Sequence, residues 1–366
     1  MEVDVNLRAE NKINLSQSVY LESHSEWRNS KLRILVIFTG GTIGSSVSNG
    51  YISTDVQKRY KLLEMYQSNA GKELDLKLLE PYTMLSENLT GESIARLCTV
   101  VKDNLSEEYD GVIITHGTDT LQYSACALGY YLQTVNIPIL LVSSNYVLDD
   151  SRANGLVNFA AAVSFIEQKA GSGVFVPYRN DDDNVYIHRG TRLLPHRPYS
   201  DNLYSINDQY YAVYDADADE IRKNQKYHSS DNKITEVISL PANWNSDIMR
   251  IFPYPGFRYS NFEMDQKYKN IPKAVLLDTY HSGTLCSEED DLEMFLTQAD
   301  KCDIPVFLTG ASSGCVYESV KRWEKHHITV LPAASPIAMY MKLWLMMGQK
   351  DLDRVMKTPL ADDIVE

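Results

Sequence analysis

Two threonine-bearing glycine loops, Thr39-Gly40-Gly41-Thr42-Ile43 and His116-Gly117-Thr118-Asp119-Thr120, each follow directly on an apolar run. The runs, Ile34-Leu35-Val36-Ile37-Phe38 and Gly111-Val112-Ile113-Ile114-Thr115, have the length of buried strands and are too short for helices. Threonines leaving two such strands at one sheet edge converge in a crevice of the kind where open α/β sheets bind ligands. A hydroxyl becomes a useful nucleophile only when a neighbour takes its proton or stabilises the oxyanion it creates. Gly40 and Gly41 allow close approach of the backbone, and the peptide N–H groups after them suit an anion. Asp119, beside Thr118, can pair an ammonium group. Two hydroxyls, a carboxylate and glycine peptides in one crevice point to acyl-transfer or amide chemistry. Each loop alone has a plainer reading, a strand-exit turn in which Thr42, Asp119 or Thr120 caps the next helix. Neither a dinucleotide fingerprint nor a phosphate loop is present.

The elements expected around these loops alternate. Arg33–Phe38 reads as a strand, Gln57–Tyr66 as a helix, and Gly91–Asn104 as an amphipathic helix capped by Thr90, with Ile94, Leu97, Val101 and Leu105 on one face. Strand Gly111–Thr115, helix Leu121–Gln133, strand Pro138–Ser143 and helix Ser151–Glu167 follow, which predicts a parallel sheet with helices on both faces. Gly173–Pro177 and Asn184–His188 form a β-hairpin whose turn holds Asp181-Asp182-Asp183, a solvated acidic turn that lacks the remaining positions of a calcium loop. Farther on come strand Lys273–Asp278, helix Glu288–Ala299, strand Ile304–Thr309 before Gly310-Ala311-Ser312-Ser313-Gly314, and helices Ser335–Met347 and Asp351–Lys357. The expected organisation is an extension over 1–30, an α/β domain with the two loops over 31–214, a linker over 215–270 and a smaller α/β domain over 271–366.

A chain of 366 residues exceeds the usual size of one core, so two domains are the default. Its net charge of -14 argues against a nucleic-acid or anionic-membrane partner. The five cysteines are scattered without a CxxC pair, which reads as reduced thiols in a cytoplasmic protein and not as a zinc site or disulfide framework. Neither a signal peptide nor an apolar stretch of membrane-helix length is visible. The 24 tyrosines read as packing and interface material.

The ordered segments resemble the bacterial-type L-asparaginase family, closest to its cytoplasmic type I branch, from Leu32 to Ile364. The family's first signature matches Phe38-Thr39-Gly40-Gly41-Thr42-Ile43-Gly44 and the second His116-Gly117-Thr118-Asp119-Thr120-Leu121. Asn49-Gly50-Tyr51-Ile52 resembles the lid segment with its tyrosine, and Ser86-Glu87-Asn88-Leu89-Thr90 the segment that holds the substrate's α-carboxylate and α-amino groups. Tyr254-Pro255-Gly256, Tyr280-His281-Ser282-Gly283-Thr284 and the ending Pro359-Leu360-Ala361-Asp362-Asp363 resemble the C-terminal domain. The resemblance implies a flavodoxin-like parallel-sheet domain followed by a smaller α/β domain, and two-step hydrolysis of L-asparagine to L-aspartate and ammonia. Thr42 is then the nucleophile, Tyr51 and Thr118 its proton relay, and Gly41, Ser86, Glu87 and Asp119 the grip on the amino acid, Asp119 also counting among the catalytic group. It implies no metal or organic cofactor, a small-molecule amino-acid substrate, and a homodimer or dimer of dimers in the cytoplasm.

The chain departs from the family where a lysine closes the catalytic constellation: the matching stretch reads Gly190-Thr191-Arg192-Leu193-Leu194-Pro195, with Pro195 at the lysine position. Proline moves no proton, Arg192 is too basic to serve, and loss of one general base costs on the order of 10²–10⁴ in rate. Val142-Ser143-Ser144-Asn145-Tyr146 also departs from the usual strand-exit sequence. His116 and His281 are the candidates for a replacement base; His116 reads as structural, and His281 as a residue of the second domain near a subunit boundary. The alternatives are an impaired homologue that binds an amino acid as sensor or scaffold, favoured by Pro195, and the amidase subunit of a transfer-RNA amidotransferase. The short 1–30 segment and the acidic charge weigh against the latter.

Overall fold

The computed structural model describes residues 31–48, 51–54, 59–70, 72–105, 108–230, 238–241, 247–262, 264, 271–286, 290–311, 317, 320–321 and 325–365. The expected extension 1–30, the Asn49-Gly50 turn, Gln57, Glu288, Ser312-Ser313-Gly314 and Cys315 lie outside the described residues.

The first half runs β1 (Leu32–Phe38), β2 (Ser45–Ser48), β3 (Tyr51–Thr54), α1 (Arg59–Ala70), β4 (Leu74–Leu79), α2 (Gly91–Asn104) and β5 (Gly111–Thr115). It continues with α3 (Leu121–Tyr131), β6 (Pro138–Val142), α4 (Gly155–Glu167), β7 (Gly173–Arg179), β8 (Val185–Arg189), β9 (Ala212–Asp215) and β10 (Glu220–Lys223). These strands, apart from the β2–β3 hairpin, form an 8-stranded sheet in the order β10-β9-β8-β7-β6-β5-β1-β4. Its β4-β1-β5-β6-β7 part is parallel, and β8, β9 and β10 run antiparallel to their neighbours.

Period-2 alternation makes the layers. Leu35 and Ile37 of β1 face one core with α2 and α3, whereas Ile34 and Val36 face the other with α1 and α4. Helices on both faces of a parallel-rich sheet are the outcome, the α/β class expected. Helix α2 starts where Thr90 Oγ1 accepts the Ser93 N–H at 3.2 Å and buries Ile94, Leu97 and Val101, while Leu105 is half-buried.

The second half holds β11 (Ile248–Ile251), β12 (Ala274–Asp278), α5 (Asp291–Lys301), β13 (Val306–Thr309), β14 (Ile328–Val330), α6 (Pro336–Met346) and α7 (Leu352–Lys357). Its strands make a 4-stranded parallel sheet in chain order. Leu276 and Phe307 of this sheet join the same apolar cluster as Leu35, Val112 and the inner side of α6.

Several expectations need correction: helix α1 runs on to Ala70 and not Tyr66, and α5 to Lys301 and not Ala299. Helix α4 begins at Gly155 and not at Ser151, because Asn154 is occupied in a loop: its N–H and Oδ1 pair with Asn145 Oδ1 and N–H at 3.1 and 2.9 Å. Helix α3 stops at Tyr131 and not at Gln133. Strand β4, an edge strand in which Leu78 is buried and only Asp75 is exposed, is an addition to the expected elements.

The chain's end is tied into the first sheet by buried charge. Lys342 Nζ on α6 donates to Asp363 Oδ2 at 2.7 Å with both side chains fully buried, and Tyr130 Oη and the Leu360 N–H donate to the same carboxylate. Arg192, also fully buried, donates to the carbonyls of Asp362 and His228 at 2.6 and 2.7 Å and lies over the Tyr227 ring at 4.4 Å. Arg192 is therefore a staple for the C-terminal segment.

Candidate active site

The two threonine loops leave adjacent parallel strands at the same end: β1 and β5 pair with Phe38 opposite Thr115. Thr39 Oγ1 donates to the Thr115 carbonyl at 2.7 Å, so the loops are joined from their first residues. Backbone conformation then presses them together. Gly41 has φ 80, and a Cβ placed there would lie 2.4 Å from the Gly117 nitrogen and 2.5 Å from its Cα. Gly40, at φ 103, has the Met84 carbonyl oxygen 2.3 Å from where a Cβ would sit. Only glycine allows this approach at these dihedrals.

A third loop enters beside them. The Gly41 N–H donates to the Met84 carbonyl at 3.0 Å, and the Met84 N–H to the Thr39 carbonyl at 3.1 Å. Two residues on, the buried Ser86 hydroxyl donates to Asp119 Oδ2 at 3.1 Å and accepts from the Asp119 N–H at 3.3 Å. Thr120 Oγ1 donates to the Ser86 carbonyl at 2.9 Å. The capping alternative for this loop is thereby answered: Thr120 holds the N-cap position of α3, but its hydroxyl is spent on the Ser86 loop and makes no cap bond.

The expected site residues are therefore distributed as follows. Gly41, Ser86, Thr118 and Asp119 belong to one contiguous junction, with Thr42 the residue after Gly41 and half-buried at the start of a single 3₁₀ turn. Asp119 is exposed, and Glu87 is exposed beside Ser86. Tyr51 opens β3, which pairs antiparallel with β2 directly after the Thr42 turn. His116 takes no free part: it is buried, its Nδ1 lies 2.8 Å from the Gly117 carbonyl and its Nε2 2.8 Å from Ser124 Oγ. Burial pushes its imidazole below the usual histidine range. His281 is exposed in a turn closed by Tyr280 and Thr284.

A cavity of about 390 Å³ is lined by Thr118 and Asp119 together with Asn145, Tyr178, His196 and Asp201. A larger one of about 650 Å³ lies against the β7–β8 hairpin and shares no lining residue with the three loops, so size is a poor guide to the chemistry here. The strand exit after β6 borders the smaller cavity. Asn145 reaches its wall, and Tyr146 Oη donates to Asp201 Oδ2 at 3.0 Å. Pro195 is exposed, and the next residue, His196, turns into the cavity. Sequence reasoning missed His196; the signal available was a histidine directly after the proline that replaces the family lysine.

The asparaginase N-terminal family model matches residues 33–226, more than half of the chain. The chain belongs to the asparaginase family. Among curated relatives it is 26% identical over 356 residues to a glutamyl-tRNA(Gln) amidotransferase subunit of Methanosphaera stadtmanae, covering 92% of this chain and 77% of that protein. The corresponding protein of Saccharolobus solfataricus is 25% identical over 349 residues, covering 92% and 76%. Among solved structures, the thermostable L-asparaginase of Thermococcus kodakarensis matches with a TM-score of 0.75 at 20% identity, over 92% of this chain and 100% of that one. L-asparaginase I of Vibrio cholerae matches at 0.72 and 21%, again over 92% and 100%. This shared fold is the two-part α/β architecture described above. No helix among the described residues is long and apolar enough to cross a membrane.

Proposed function

We propose that this protein hydrolyses a side-chain amide through a threonine acyl-enzyme, with L-asparagine as substrate and L-aspartate and ammonia as products. The observation that carries the reading is the three-loop junction at one sheet edge, where Gly41 abuts Gly117 and Ser86 bridges to Asp119. Thr42 Oγ attacks the amide carbon as its proton is drawn off by a relay through Tyr51 and Thr118. Glycine-loop N–H groups receive the oxyanion. The C–N bond breaks as the nitrogen takes up the proton and leaves as ammonia, and water then cleaves the Thr42 ester. Ser86, the peptide around Glu87, Gly41 and Asp119 hold the amino-acid head group, with the exposed Asp119 carboxylate pairing the α-ammonium. The assembly is a homodimer or dimer of dimers, of the cytoplasmic type I kind.

The test is ammonia release from L-asparagine, L-glutamine and their D-isomers by wild type and by Thr42→Ala. Wild type is expected to release ammonia from L-asparagine, and the alanine variant to lose at least about 10³-fold in kcat. Binding of the amino acid without ammonia release would replace this reading by the sensor. The curated relatives favour a second reading, an amidotransferase subunit whose released ammonia passes to a partner protein. That reading expects the isolated chain to turn over slowly and to accelerate when the partner is added.

A further inference from the structure

The stretch expected to bring a lysine to Thr118 brings Pro195, which is exposed and carries no proton. The side chain after it turns into a cavity instead. His196 shares its cavity with Thr118 and Asp119 and packs edge-on against Tyr178, ring centroids 5.8 Å apart at 85°. The backbone of Thr118 and Ser200 and the carboxylates of Asp119 and Asp201 lie close enough to act on its charge. The other ionisable groups on the cavity wall are Tyr178, kept neutral by burial, Tyr199 and Arg197. Among these, the imidazole alone ordinarily changes charge near neutral pH.

We propose that His196 is the proton-holding partner of Thr118, filling the part that Pro195 leaves empty. This rests on the amidohydrolase reading above. As the bond from Thr42 Oγ to the amide carbon forms, the hydroxyl proton passes by way of Thr118 to the imidazole. The imidazolium returns it to the nitrogen as the C–N bond breaks, so ammonia departs. In the second half, the attacking water gives its proton by way of Thr118 to the same ring, which returns it through Thr118 to Thr42 Oγ as the acyl bond breaks. The ring ends as it began, and one water is consumed.

The surroundings suit a transient cation. Burial favours the neutral ring and outweighs the opposing groups, holding it below its usual range and ready to accept at neutral pH. Once formed, the imidazolium is favoured by the nearby Thr118 and Ser200 backbone and by two carboxylates. His116 has no such balance, because its two ring nitrogens are already engaged by Gly117 and Ser124.

His196 acts through Thr118, so it is a positioning residue and its test must read more than lost activity. The experiment compares pH profiles of kcat and KM for ammonia release in wild type, His196→Gln and His196→Lys. Wild type should lose kcat/KM as pH falls below the ordinary imidazole value of about 6.5. The Gln variant should lose about 10²-fold or more in kcat with KM little changed, and should lack that acid limb. The Lys variant, which restores a titrating group, should regain part of kcat with the limb moved to higher pH. An unchanged acid limb in the Gln variant, or a Lys variant no better than Gln, overturns the proposal. An active wild type with an unaffected Gln variant overturns this proposal alone. A wild type that releases no ammonia from any amide overturns the amidohydrolase reading as well.

Discussion

Replacing Gly41 by alanine tests whether the two threonine loops must touch. A Cβ there would lie 2.4 Å from the Gly117 nitrogen and 2.8 Å from the His116 carbonyl carbon, all backbone atoms that cannot rotate away. Restoring ordinary van der Waals separation moves the loops apart by about 1 Å. The added methyl also stands at φ 80, where an L residue costs roughly 1–2 kcal/mol. A 1 Å misplacement of reacting groups is worth about 10² in rate. Gly41→Ala should therefore lower kcat for ammonia release about 10²-fold while the protein still melts cooperatively, a few degrees early. Gly44→Ala is the control, since nothing lies within 4 Å of its Cβ position. It should keep wild-type turnover. A Gly41→Ala variant with wild-type kcat would refute the idea that contact between these loops sets the geometry of the reaction.

Other outcomes follow from the same structure. His188 is buried, with Nδ1 2.8 Å from Ser205 Oγ, and burial lowers its pKa to about 3. Because the unfolded chain binds this proton more readily, stability should fall as pH drops from about 6.5 toward 3, with a slope up to about 1.4 kcal/mol per pH unit. Urea unfolding at several pH values should show His188→Gln losing that component. Lys342→Met leaves the fully buried Asp363 without its cation and should cost about 3–5 kcal/mol, read as a lower urea midpoint. Pro195→Lys places its amine at an exposed position and should leave turnover within about twofold of wild type, a marked gain in ammonia release counting against the role given to His196.

The strongest local signals are readable from the chain. Helix α2 has the bounds, cap and buried face expected of it, because Thr90 and the spacing of Ile94, Leu97 and Val101 are short-range information. Strand β5 likewise runs over Gly111–Thr115 as expected, an unbroken apolar run closed by turn residues. Edge strand β4 alternates Leu74, Leu76 and Leu78 with Asp75 and Lys77, a period-2 signal present in the sequence but too short to stand out without its partner β1. The start of α4 differs from the expected one because Asn154 is spent on Asn145, a partner nine residues away that no helix pattern encodes.

The order of the glycine loops, and hence the family, was set by sequence alone, since those motifs are contiguous and their dihedral demands are local. Which groups meet was decided only in three dimensions. Ser86 reaches Asp119 across 33 residues, and Lys342 neutralises Asp363 inside the core. His196 enters the Thr118 cavity while its neighbour Pro195 faces solvent. Facing of that kind depends on the path of the backbone through packed neighbours, and a one-residue shift along an irregular segment exchanges an inward side chain for an outward one.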